Sequence, residues 1–147
     1  MAKRYKRILL AADYHEDNKE VVDTAVELSK LHEAELHVVH VDEPISAYPP
    51  DGAIWVSQVY DLQATIRNES KKRMDELQAK LDLPDDQCHL LEGRPANEVH
   101  ELCGKIDADL IILGTHGQHG FQLLLGSTAS SVLHGSPCDV LAVRVSE

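Results

Sequence analysis

Short apolar runs and longer helical stripes alternate along this 147-residue chain. Ile8-Leu9-Leu10-Ala11-Ala12 is an unbroken apolar run and predicts a strand. Val21, Val22, Ala25, Val26, Leu28 and Ser29 then recur at helical spacing, with Asp17 as a cap and Glu20 three residues on. Leu36 to Val41 reads as a second strand, and Pro44 to Gly52, with three prolines, as a loop. From Ser57 to Leu81 a long helix is expected, with Val59, Leu62, Ile66, Met74, Leu77 and Leu81 on one stripe. A third strand covers Gln87 to Leu91. Gly93-Arg94-Pro95 then turns the chain into a helix carrying Val99, Leu102, Cys103 and Ile106. Leu110 to Leu113 is the fourth strand, Ser127 to Leu133 or His134 the fourth helix, and Val140 to Val145 the fifth strand. Gly135 and Pro137 stop the last helix.

The pattern is β-α-β-α-β-α-β-α-β. Near-continuous apolar strands separated by helices imply a parallel sheet covered on both faces, a three-layer α/β architecture. The expected form is a doubly wound five-stranded sheet in the order 3-2-1-4-5, folded as one domain over residues 1–147. In that order strands 1 and 4 are neighbours. The winding reverses between them, and a crevice opens outside their carboxyl ends.

Two features converge there. One is Asp13, at the exit of strand 1. The other is the stretch Gly114-Thr-His-Gly-Gln-His-Gly-Phe-Gln-Leu-Leu-Leu-Gly-Ser127 after strand 4, which holds four of the eight glycines. A glycine loop between a strand and a helix start aims backbone N–H groups at phosphate. An adenine nucleotide would set its base near Val41 and its ribose on Asp13. Its phosphates would meet Gly114, Gly117, Gly126 and the Ser127 hydroxyl. The loop has no Lys or Arg, so it is not a Walker P-loop, nor is it a Gly-x-Gly-x-x-Gly dinucleotide turn.

Composition narrows the partners. Lys plus Arg number 14 and Asp plus Glu 25, a net charge of −11, which argues against nucleic acid or an anionic membrane. The same balance means that a bound polyphosphate needs local dipoles or Mg²⁺ as offset. Lys3, Arg4, Lys6 and Arg7 before Ile8 imitate a signal peptide, but the apolar run stops at Asp13. No stretch approaches the ~18 apolar residues of a membrane span. Cys88, Cys103 and Cys138 are scattered, which suits a reduced cytoplasm, and each reads as a small hydrophobe. His40, in an apolar strand, reads as a satisfied buried imidazole. His116 and His119 lack an evident third ligand, so no metal site is expected.

The chain resembles the universal stress protein (UspA) family over essentially its whole length. The matching parts are Ile8-Leu9-Leu10-Ala11-Ala12-Asp13, His40-Val41-Asp42, Gly93-Arg94-Pro95 and Asp109-Leu110-Ile111-Ile112-Leu113-Gly114-Thr115-His116-Gly117. Gly126-Ser127 and Ser136-Pro137-Cys138-Asp139-Val140-Leu141-Ala142-Val143 complete the match. The resemblance implies an adenine-nucleotide alpha-hydrolase-like fold and a homodimer, often paired through the last strand. The edge position expected for Val140 to Val145 points the same way, since an exposed apolar edge needs cover.

Family members of one subtype bind ATP through a Gly-x2-Gly-x9-Gly-Ser/Thr loop, whereas others lack the glycines and bind no nucleotide. By matching position, the first subtype assigns Ala11, Asp13 and Val41 to the nucleoside. It assigns Gly114, Gly117, Gly126, Ser127 and Thr128 to the triphosphate. The chain departs in one respect: residues 118–125 between Gly117 and Gly126 number eight, with Gly120 among them. The leading expectation is a cytoplasmic, ATP-binding regulatory module of the stress response, with Mg²⁺. Two alternatives stand beside it. One is a nucleotide-free dimeric interaction protein of the same fold. The other is a weak ATPase or autophosphorylating protein with Ser127 or Thr128 as acceptor.

Overall fold

The computed structural model describes residues 4–12, 19–45, 53–115 and 127–145. The elements run β1 (Arg7–Ala11), α1 (Lys19–His32), β2 (Glu35–Asp42), α2 (Ala53–Leu81), β3 (Cys88–Glu92), α3 (Pro95–Ile106), β4 (Leu110–Gly114), α4 (Ser127–Leu133) and β5 (Asp139–Val143). All five strands are parallel and lie in the order β3-β2-β1-β4-β5. That is the doubly wound order expected from the apolar runs.

Strand alternation divides the core into two layers. Ile8, Leu10, Leu36, Val38, Leu110 and Ile112 face one side, where they pack with Val21, Val22 and Ala25 of α1 and Met74 of α2. Leu9, Val39, Ile111 and Leu113 face the other, against Val99, Leu102 and Cys103 of α3 and Ala129 and Val132 of α4. Ile8, Leu9, Leu10, Ile111 and Ile112 are wholly buried. Burying each such side chain contributes about 1.5–3 kcal/mol, so these central strands supply much of the hydrophobic stabilisation. Asp109 anchors the entry to β1, accepting from the Lys6 amide at 2.9 Å and the Arg7 amide at 3.1 Å.

The helix ends follow a rule that the sequence pattern did not reveal. Glu33, Asp82 and Asp107 close α1, α2 and α3 in the left-handed conformation, with φ of 54°, 54° and 55°. In each case the next amide bonds back into the helix: Ala34 N–H to Ser29 O, Leu83 N–H to Gln78 O and Ala108 N–H to Cys103 O. This is the Schellman closure, made here without the glycine that usually carries it. Gly135, after α4, has φ of 73° and fits the expected terminator.

Helix α2 departs from the expected stripe. It begins at Ala53, four residues before Ser57, and spans 29 residues, about 43 Å at 1.5 Å per residue. A five-residue strand spans only about 17 Å. The helix therefore outruns the sheet. Ser70 and Met74 are buried, whereas Tyr60 is 71% and Leu62 53% exposed. Leu62 thus lies outside the core to which its spacing assigned it.

Candidate functional site

The reversal of winding falls between β1 and β4, as the strand order requires. Ala11 ends β1 in register with Val39, so β2 continues beyond β1 through Val41 and Asp42. The Ala12 amide reaches Val39 O at 2.8 Å and holds the exit of β1 against β2. Ala11 and Val41 are half-buried and share the face that packs on α3 and α4. Together they form an apolar shelf beside the mouth of the crevice.

Gly114 ends β4. A Cβ placed on it would meet Val21 Cγ2 and Val145 Cγ2, each at 3.1 Å. Glycine here lets α1 and the chain after β5 approach the sheet closely, a packing reason that needs no ligand. Thr115 continues the crevice rim. Its amide bonds Val143 O at 2.9 Å, and its hydroxyl accepts from the Val145 amide at 3.4 Å. Ser127 and Thr128 open α4, with Thr128 exposed. Asp13, Gly117 and Gly126 lie outside the described residues, as do His116 and His119. The structure thus brings Ala11, Val41 and Gly114 to the carboxyl ends of three consecutive strands of the sheet.

A polar cluster that sequence reasoning missed lies directly behind this shelf. His40 donates from Nδ1 to Ala12 O at 2.9 Å, and its Nε2 meets Asp42 Oδ1 at 3.0 Å. Ser70, from α2, donates to the same Asp42 oxygen at 2.6 Å. Asp42 is 6% and Ser70 5% exposed. Asp42 Oδ2 has no protein partner and lies buried. His40 is satisfied, as its place in an apolar strand suggested, and it ties the exit of β1 to the end of β2. The two-residue spacing of His40 and Asp42 puts them on one strand face and was legible. Ser70 was not, because only the packing of α2 brings it across.

At the opposite end of β2 a second chain of polar groups forms. His37 Nε2 meets Glu35 Oε1 at 2.6 Å, and His37 Nδ1 meets His89 Nε2 at 3.0 Å. The two imidazoles stack with centroids 5.3 Å apart. The hydrogen bond from His37, aided by Arg7, holds the Glu35 carboxyl below its ordinary range. Burial, aided by His37, pushes His89 down. Among the described residues no three His, Cys, Asp or Glu side chains are grouped to hold a metal ion.

A groove of about 400 Å³ also lies at this end, lined by the ends of α1 and α2 and the start of β2. Within its lining Ser29 Oγ donates to Val26 O and Gln87 Nε2 to Leu36 O. It lies at the amino ends of the strands, away from the crevice. Among the described residues no helix is long and apolar enough to cross a membrane.

Comparison with known proteins agrees with this architecture. Residues 4–144 match the universal stress protein family. Universal stress protein A homologs 1 and 2 of Coxiella burnetii are each 41% identical to the chain. The first aligns over 97% of this chain and 99% of its own length. Among solved structures, the universal stress protein UspA from Lactobacillus plantarum superposes with a TM-score of 0.81 at 22% identity. It covers 97% of this chain and all of its own. A universal stress protein solved in complex with cAMP superposes with a TM-score of 0.62 at 23% identity, over 98% of this chain and all of its own.

Proposed function

Because the chain belongs to the universal stress protein family, we propose that it binds an adenine nucleotide where β1, β2 and β4 end. In this reading it is a regulatory module of the stress response, working in the cytoplasm as a homodimer. One observation carries the reading: Ala11 and Gly114 end neighbouring strands at the reversal of winding, and Val41 extends β2 beyond them. Open parallel sheets take their ligands at this position. Ala11 and Val41 offer apolar surface to a base. Asp13 supplies a carboxylate for the ribose hydroxyls, and Gly114, Gly117, Gly126, Ser127 and Thr128 supply phosphate contacts. The solved relative in complex with cAMP supports an adenine ligand. Mg²⁺ would offset phosphate charge on a chain of net charge −11 whose residues 114–128 include no Lys or Arg.

Pairing through β5 completes the proposal. This strand is an edge, hydrogen-bonded to β4 alone among the described residues. Its Val140, Leu141 and Val143 are only half-buried. A second copy along that edge would satisfy its free backbone groups and fix a two-fold axis.

Titration calorimetry with ATP, Mg-ATP and cAMP tests the ligand. A bound nucleotide at about 100 times its Kd stabilises by about 2.7 kcal/mol, a rise in Tm of roughly 9 °C for a chain this size. No heat and no thermal shift at millimolar nucleotide would overturn the reading. The second reading, a nucleotide-free interaction protein, draws on the packing of Gly114 against Val21 and Val145. Gly117→Val separates the two. It should abolish nucleotide binding under the first reading and leave function unchanged under the second.

A further inference from the structure

Two of the three cysteines, 35 positions apart in sequence, meet in the fold. Cys103, on α3, is 1% exposed, and Cys138, just before β5, is half-buried. Their sulfurs lie 3.2 Å apart. The third, Cys88, belongs to the opposite face of the sheet. The backbone at Cys138 is pinned by Ser136, whose hydroxyl donates to Cys138 O at 2.8 Å and accepts from the Cys138 amide at 3.3 Å. Each thiol also meets a backbone carbonyl, Ala108 O for Cys103 and Asp139 O for Cys138, both at 3.4 Å.

We propose that Cys103 and Cys138 form a thiol-disulfide exchange site, closed to an internal disulfide by low-molecular-weight disulfides such as oxidised glutathione. The sulfurs need to approach by only about 1.2 Å to reach bonding distance, about 2.05 Å. This inference is independent of nucleotide binding.

The two thiols have different tasks. Burial above all, with Cys138 beside it, pushes the Cys103 thiol up to about 12, so it stays protonated. The first attack falls to the more accessible Cys138. Its thiolate displaces one glutathione thiolate and forms a Cys138–glutathione mixed disulfide. Capping Cys138 removes its share of the pressure on Cys103. Burial, the larger cause, remains, so the second step is the slower one: the Cys103 thiol gives its proton to solvent, and its minor thiolate form attacks Cys138 Sγ. The second glutathione leaves as thiolate. One disulfide is reduced, two protein thiols are oxidised, and the two protons released end on the two glutathione thiols. The bond closes a ring over residues 104–137, which include β4 and α4. A thiol donor in excess reverses both steps.

The test uses the full chain, reduced and then exposed to oxidised glutathione under native conditions. Alkylation in denaturant with intact mass and peptide mapping follows. The number of alkylated thiols should fall from three to one, with Cys88 the remaining thiol and Cys103 joined to Cys138 within one chain. Dithiothreitol should restore all three. Cys103→Ala should stop at the mixed disulfide on Cys138. Three alkylated thiols, under conditions that oxidise the urea-unfolded chain, would overturn the proposal. So would a lasting glutathione adduct on Cys138 in the unsubstituted protein, or crosslinks only between chains. Mapping of the unsubstituted protein decides the matter even where Cys103→Ala fails to fold.

Discussion

Ser70→Ala removes the hydroxyl that α2 presents to the end of β2. That hydroxyl sits 2.6 Å from Asp42 Oδ1, and both residues are at least nine-tenths buried. A hydrogen bond to a charged acceptor contributes about 1.5–3 kcal/mol, more than a neutral one, because water cannot replace it in a buried site. The loss is sharpened here because Asp42 Oδ2 already lacks a protein partner. Without Ser70, the carboxylate keeps the His40 imidazole at 3.0 Å on Oδ1. The entropy of unfolding, about 2.1 cal/mol/K per residue, amounts to about 0.3 kcal/mol/K for 147 residues. The expected fall in Tm is therefore roughly 5–10 °C. Urea unfolding of Ser70→Ala, Asp42→Ala and the double variant closes a cycle that isolates the pair. The coupling should be about 1–3 kcal/mol, with the double variant less damaged than the two singles combined. Additivity within about 0.5 kcal/mol would refute the argument that this contact fixes α2 over the end of β2.

Two further predictions concern groups away from the crevice. Asp82→Gly relaxes a left-handed closure on an exposed residue. The gain in the folded state, about 1–2 kcal/mol for an ordinary side chain and less for Asp, is partly offset by the freer unfolded chain. A net stabilisation of about 0.5 kcal/mol by urea unfolding is expected, and a loss would show that Asp82 makes an unrecognised contribution. His89 has its folded pKa lowered, chiefly by burial. Its stability contribution is then fully present above the unfolded value of about 6.5 and is lost as pH falls through the folded value. Glu35, lowered from the carboxylate range, acts in the same direction at lower pH. Stability should fall from about pH 6.5 downward, and His89→Gln should flatten that decline. An unchanged slope in His89→Gln would assign the decline elsewhere.

The apolar runs determined the element order, and right-handed crossovers then left few ways to arrange five parallel strands. Ile8, Leu10, Ile111 and Ile112 are apolar whichever face they meet, so a sheet buried on both sides was legible without contacts. The carboxyl ends of β1 and β4 followed from the strand order, with Gly114 and the nearby Val41, whereas Ala11 entered as a site residue through the family resemblance. What the sequence could not decide depends on where a helix passes over the sheet. Leu62 keeps helical spacing, yet α2 is longer than the strands it covers, so that turn meets solvent. Glu33, Asp82 and Asp107 adopt left-handed closures, which Asp tolerates better than most residues but which its presence alone does not announce. Ser70 meets Asp42 across 28 positions and Cys103 meets Cys138 across 35. Periodicity reports which side of an element is buried, but not the residue it faces. That pairing is set by the offset and angle at which whole elements pack, which only the tertiary structure supplies.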